Sequence, residues 1–98
     1  MNPVVEAIKR RRSCRVFKEY KLSEGELFTL LEAACYAPAG GNLAKWEVVI
    51  VTSPAVKKQL SKVSLKQEFI EQASVVFVFV GGRTVNVAAA IENLLLAA

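Results

Sequence analysis

The last fourteen residues of the chain, 85–98, constrain its fold more than any other segment. Their pattern predicts a helix that is capped by Asn86 and carries apolar side chains on nearly all sides. After the cap, the only polar residues are Glu92 and Asn93, which we expect at the helix surface or at a subunit contact. A helix that is apolar all round has to be buried on most of its faces.

The composition indicates that this chain does not bury such a helix alone. Of its 98 residues, 53% are hydrophobic, whereas a domain of this size buries only about 60–65% of the surface that its unfolded chain exposes. We therefore expect oligomerisation, or a part of the core that this chain lacks, to cover the excess. The helix reaches the last residue without a C-cap, so we also expect the chain to be incomplete at its C-terminus.

The other helices are predicted from their start and stop signals. Asn2 followed by Pro3 is typical of a helix start, and Ser23 with Glu26 has the spacing of a capping box. Cys35 lies on the apolar face of the helix that follows this box, so we expect it in the core. The predicted helices run over residues 3 to 10 or 11, from the Ser23 cap to Pro38, 54 to about 63, 66–72 and 85–98.

Two segments are typical of β-strands. Residues 46–52 are rich in β-branched side chains and begin at Trp46. Residues 74–80 form a nearly continuous apolar run, which predicts a central strand that is buried on both faces. Helices and strands together predict a single α+β domain over residues 1–98, with a sheet core flanked by helices.

The residue types that are missing exclude several kinds of chemistry. The chain has no histidine and two cysteines, which excludes most zinc sites and any histidine-based triad. Two cysteines form no disulfide framework, and the N-terminus lacks the apolar run of a signal peptide. No apolar run is long enough to span a bilayer. We therefore expect a cytoplasmic protein with no bound metal and no membrane partner.

Basic side chains are concentrated in one short segment. Residues 9–15 contain five of the thirteen basic residues and no acidic residue. Arginine is always charged and binds oxyanions through two parallel hydrogen bonds, so this density predicts a phosphate site. The net charge of +4 would also suit a nucleic acid, but no aromatic residues are interleaved with the basic ones. We therefore expect no nucleic-acid partner.

The order of the motifs resembles one known family. Arg-Arg-Ser-Cys-Arg-Val-Phe at 11–17 precedes the capped leucine-rich helix, and Ala-Pro-Ala-Gly-Gly-Asn-Leu at 37–43 precedes Trp46 and its strand. Ala-Ala-Ile-Glu-Asn-Leu-Leu-Leu-Ala-Ala closes the chain. This arrangement resembles the nitroreductase family of FMN-dependent NAD(P)H oxidoreductases. The resemblance implies a central, mainly antiparallel sheet flanked by helices, and a homodimer with FMN at the subunit interface.

The same resemblance implies which residues bind the flavin. It assigns the FMN phosphate and ribityl chain to one segment, the isoalloxazine ring to a second segment from the other subunit, and the pyrimidine edge, loosely, to one amide. No residue is assigned as catalytic, because hydride transfer to the flavin needs no protein acid, base or nucleophile. The implied phosphate and ribityl contacts are Arg11, Arg12, Ser13 and Arg15. The implied ring contacts are Pro38, Ala39, Gly40 and Asn42, and the implied pyrimidine contact is Gln67.

Two functions remain open from the sequence. The first is an oxidoreductase that passes electrons from NAD(P)H through FMN to a nitroaromatic, a quinone or a similar small acceptor, by a ping-pong mechanism. The second is a non-catalytic remnant of the family that dimerises or binds flavin without turnover. The second is motivated by the family's glycine-rich segment near flavin N5, which would follow the last helix and which this sequence does not contain.

Overall fold

The computed structural model describes residues 2–38 and 46–98, which form five helices and two strands. These elements fall into two compact units that interleave along the chain. The first unit takes residues up to 13, 23–46 and 81–98, and the second takes 14–22 and 47–80. In chain order the elements are α1 (Pro3–Arg10), α2 (Glu24–Cys35), β1 (Trp46–Val51), α3 (Pro54–Val63), α4 (Phe69–Gln72), β2 (Val76–Gly81) and α5 (Thr84–Ala97).

The core of the first unit lies between α2 and α5, which pack against each other. Its buried side chains are Leu30 and Ala34 from α2 and Ala90 and Leu94 from α5. The spacing of four residues on each helix places both members of a pair on one face. Two helices that carry small and large apolar residues on the facing sides can approach closely and exclude water.

Both helix starts predicted in this unit are confirmed. The backbone N–H of Val4 donates to Asn2 Oδ1 at 2.8 Å, which caps α1. At α2 the capping box is complete: Glu26 N–H donates to Ser23 Oγ at 3.1 Å, and Ser23 N–H donates to Glu26 Oε1 at 2.9 Å. These bonds satisfy N–H groups that a helix start leaves without an intrahelical partner.

The second unit contains a small antiparallel sheet of β1 and β2, and the helix pair α3 and α4. Lys57 of α3 donates from Nζ to the carbonyl of Ala73, at the end of α4, at 2.8 Å. The irregular stretch before α2 is held in this unit by Phe17, whose ring lies 6.3 Å from that of Phe69 in a tilted arrangement. This is an ordinary geometry for a favourable aromatic pair.

The turn between α3 and α4 corrects the predicted helix over 66–72, which begins at Phe69 instead. Leu65 and Lys66 both have positive φ, 60° and 56°, and two left-handed residues cannot continue a right-handed helix. Ser61 closes the turn, because its buried hydroxyl donates to the carbonyl of Gln67 at 2.7 Å. Further along, Gly81 and Gly82 lie between β2 and α5 with φ of 79° and 70°.

Three expectations about burial and capping are wrong. Cys35 is exposed, because one residue advances a helix by about 100° and turns it away from the face that Ala34 buries. Strand β2 begins at Val76 and is only half-buried over most of its length, because it has a single strand neighbour in the described chain. Helix α5 begins at Thr84, which places Asn86 inside its first turn and not at the cap.

Helix α5 is also less buried than its composition predicts. Only Ala90 and Leu94 are buried, whereas Val85, Ile91 and Leu95 remain substantially exposed. Helix α1 contributes no buried residue, and Val4 and Ile8 on its apolar stripe are exposed. Both α1 and α5 therefore expose apolar surface. None of the helices described is long and apolar enough to cross a membrane.

Candidate functional site: the arginine segment

The arginine segment, residues 10–15, begins where α1 ends. Arg11 is the C-cap residue: its N–H donates to the carbonyl of Ala7 at 3.1 Å, and its own backbone is extended. From Arg11 to Leu22 the chain has no regular structure, and every residue of the arginine segment is exposed. Its charged groups are therefore accessible to a ligand, but they differ in how far the protein already uses them.

Arg11 is paired with an acidic residue of α5. Its Nε lies 3.3 Å from Glu92 Oε1, and the two side chains are 36% and 51% exposed. Apart from this carboxylate, Arg11 has no side-chain partner among residues 2–38 and 46–98. An ion pair at this exposure contributes little to stability, but it places the guanidinium beside α5 within the first unit.

Arg12 folds back onto the end of α1. Its Nη1 donates to the carbonyls of Lys9 and Arg11, at 2.8 and 2.9 Å. The last carbonyls of a helix lack intrahelical partners and form its negative end, so a guanidinium here is favourable. Part of the Arg12 side chain therefore serves the helix terminus, and less of it is available for an anion than the sequence predicts.

Ser13 and Arg15 are the predicted phosphate ligands whose side chains have no partner within residues 2–38 and 46–98. Neither side chain makes a hydrogen bond or ion pair with the residues that the structure describes, and the same holds for Arg10. Ser13 belongs to the first unit and Arg15 to the second. A hydroxyl and guanidinium groups that are exposed and unpartnered are suitable donors for a phosphate.

The predicted ring-contacting residues are described only in part. Pro38 is exposed and follows α2, which closes with the N–H of Ala37 donating to the carbonyl of Ala34 at 3.2 Å. Ala39, Gly40 and Asn42 lie outside the described residues. Their contact with a flavin ring stays a prediction.

Gln67 has a structural use that the sequence did not indicate. Its Nε2 donates to the carbonyl of Ser64 at 2.9 Å, across the turn that contains the two left-handed residues. The side chain is otherwise exposed, and its Oε1 remains an available acceptor. Gln67 therefore stabilises the turn from α3 to α4 and can still accept one hydrogen bond from a ligand N–H.

Two residues with clear contacts were not among the predicted site residues. Glu92 pairs with Arg11, and Asn93 donates from Nδ2 to the carbonyl of Ala33 on α2 at 3.1 Å. Both make contacts within the chain and do not merely lie at a helix surface. The only signal in the sequence was that these neighbours interrupt a helix that is otherwise apolar after its first turn.

The arginine segment follows the first helix and is exposed throughout. Comparison with known proteins gives the class. Residues 8–84 match the model of the Nitroreductase family, a range that includes the whole arginine segment. The match spans most of the chain, and the protein belongs to the nitroreductase family.

Several relatives resemble it individually. An NADH dehydrogenase from Thermus thermophilus is 41% identical over 69 residues, which cover 70% of this chain and 34% of the relative. An FMN reductase (NADPH) from Bacillus subtilis is 30% identical over 79 residues, which cover 81% of this chain and 32% of the relative. The solved structure of an FMN-dependent nitroreductase from Clostridium difficile superimposes with a TM-score of 0.86 at 25% identity, covering 95% of this chain and 58% of that one.

These similarities confirm the predicted nitroreductase-like α+β fold. The chain spans about a third of the length of both the Thermus and the Bacillus relatives.

Proposed function

We propose that the protein takes part in FMN-dependent oxidation of NAD(P)H, with a nitroaromatic, a quinone or a similar small molecule as electron acceptor in a ping-pong reaction. The family match supports the class of reaction. The names of the relatives, an FMN reductase (NADPH) and an FMN-dependent nitroreductase, support the cofactor and the electron donor. The choice of acceptor rests on the resemblance alone.

The observation that carries the proposal is that Ser13 and Arg15 lie exposed in a basic stretch and have no side-chain partner in the described part of the chain. The FMN phosphate is a dianion, which a guanidinium binds more strongly than a neutral donor does. Bound FMN would supply hydride acceptance and release, chemistry that amino-acid side chains lack. The residues of the chain then have to bind and orient the cofactor, and each of these donors is of a type that binds phosphate oxygens.

The remaining predicted contacts complete the proposal. Arg11 would add a second guanidinium to the phosphate, and Arg12 would contribute mainly through its charge because its Nη1 is engaged at the end of α1. Gln67 would accept from the flavin pyrimidine N–H through Oε1. Pro38, Ala39, Gly40 and Asn42 would form a small-residue wall that lets the backbone approach the ring.

We further propose that two copies of the chain associate around the flavin sites. The apolar surface on α1 and α5 supports this, because Val4, Ile8 and Leu95 are exposed in the single chain. Exposed apolar area of this kind is typical of a surface that another protein chain covers. The cytoplasmic location stays a prediction.

The test is binding of FMN and of riboflavin, which lacks the phosphate, to the purified chain and to Arg15→Ala. We expect Arg15→Ala to weaken FMN binding about tenfold, the lower part of the range for a hydrogen bond to a charged group. Riboflavin binding should change little. Isothermal titration calorimetry, or quenching of flavin fluorescence, measures both affinities.

Arg83→Ala is the matched control. It removes the same charge from an exposed arginine that makes no side-chain cap bond at the start of α5. Equal losses in the two variants would contradict a specific role for Arg15. A wild-type chain that binds neither flavin would contradict the proposed cofactor. FMN binding without oxidation of added NADH or NADPH would favour the second candidate, a flavin-binding protein without turnover.

A further inference from the structure

We propose that Glu92 is a positioning residue, which holds Arg11 in place for the phosphate of the bound cofactor. This inference rests on the proposed function and deepens it. No comparison assigns a role to Glu92, and the sequence indicated only a surface or subunit-contact residue. The structure shows a direct contact between the two side chains, from Arg11 Nε to Glu92 Oε1 at 3.3 Å.

The two partners differ in how firmly their backbones are held. Arg11 is the first residue after α1, in extended conformation, at the start of an irregular segment. Glu92 lies within α5, between Ala90 and Leu94, which are buried against α2. Its neighbour Asn93 is also bonded to α2. Glu92 therefore offers a carboxylate from a packed helix to an arginine whose own segment has no regular structure.

The contact leaves the arginine usable. It engages Nε, and Arg11 has no further side-chain partner within the described ranges. The terminal guanidinium nitrogens can therefore donate to a phosphate while Glu92 holds the inner nitrogen. A side chain already held in one orientation loses less conformational freedom on binding a ligand, which is how a positioning residue raises affinity without touching that ligand.

The charge of Glu92 also has an effect that would weaken phosphate binding. A carboxylate beside a phosphate site repels a dianion and competes with it for the guanidinium. We infer that positioning outweighs repulsion, because positive charge is in excess next to Arg11 in the sequence: Lys9, Arg10 and Arg12 adjoin it, with no acidic residue among them.

The experiment is a double-mutant cycle with Glu92→Ala, Arg11→Ala and the double variant, using FMN and riboflavin as probes. We expect Glu92→Ala to weaken FMN binding about two- to fivefold, the range that an exposed ion pair can supply. Riboflavin binding should be unchanged. In the Arg11→Ala background the second substitution should have no further effect on FMN. Glu92→Gln, which keeps a side-chain oxygen at that position without the charge, should recover part of the loss.

The cycle separates this inference from the proposed function. Tighter or unchanged FMN binding by Glu92→Ala overturns the positioning role, and so does an equal loss in the absence of the Arg11 guanidinium. A parallel loss of riboflavin binding, together with a lower melting temperature, would show that Glu92 only stabilises the fold and also overturns it. Failure of the wild-type chain to bind FMN would instead contradict the proposed cofactor.

Discussion

Asn93 supplies a hydrogen bond that α2 cannot make for itself. The carbonyl of Ala33 would normally accept from the N–H four residues later, but the Ala37 N–H donates to Ala34 instead. Asn93, on α5, donates from Nδ2 to the Ala33 carbonyl instead, at 3.1 Å and in a partly buried position. A helix leaves its last carbonyls unsatisfied, so this side chain acts as a C-cap delivered from a second helix.

Asn93→Ala should therefore destabilise the protein more than an ordinary surface substitution does. Loss of the donor leaves a partly buried carbonyl without that partner, at a cost of about 1–2 kcal/mol. For a domain of this length the loss corresponds to a melting temperature lower by roughly 4–16 °C. Asn93→Asp should cost about 0.5–1 kcal/mol more, because it places an anion at the negative end of α2.

Thermal melts followed by circular dichroism, with urea titrations at equal m-value, measure these differences. Gln59→Ala is a matched control, because it removes an amide from an exposed position on α3; we expect a change below about 0.5 kcal/mol. An Asn93→Asp variant as stable as the wild type would refute the reasoning, since it would show that no amide donor is needed at the Ala33 carbonyl.

Two other substitutions test the local geometry. Ser23→Ala should cost about 1 kcal/mol, and Ser53→Ala clearly less, because Ser53 Oγ accepts from Val56 N–H at only 3.5 Å against 3.1 Å in the capping box; equal urea midpoints for the two variants would contradict this. Leu65→Asn should raise stability by about 0.5–1 kcal/mol, because asparagine tolerates the left-handed region better and this leucine, with φ of 60°, is 90% exposed. Val63→Asn, a control in the helical region, should show no such gain.

The sequence predicted the features that depend on neighbouring residues. The caps at Asn2 and Ser23 and the helix start at Pro54 all follow from side chains that bond to, or constrain, the backbone close to them. The arginine segment was recognisable because its charges are adjacent in the chain. The sequence did not show which of its side chains have partners among the described residues, because Glu92 reaches Arg11 only through the packing of α5.

Features that depend on tertiary contacts were missed or misjudged. Asn93 and Ala33 are sixty positions apart, and no local pattern connects them. Cys35 belongs to an apolar stripe by spacing, but burial is decided by where α5 lies along α2. The apolar run of β2 satisfied the pattern of a strand covered on both faces, yet the pattern cannot show how many neighbours a strand has.

The pairing of β1 with β2 has a consequence for how the molecule meets other chains. Each strand has one ladder partner in the described residues, so the far side of each carries a row of backbone donors and acceptors. The Val-Phe-Val-Phe-Val run of β2 gives its row an apolar, partly open flank. A further extended segment that paired with β2 would use these backbone groups and would also cover the exposed side of its phenylalanine rings. A sheet edge of this kind offers a route to association with another chain that does not involve the helices.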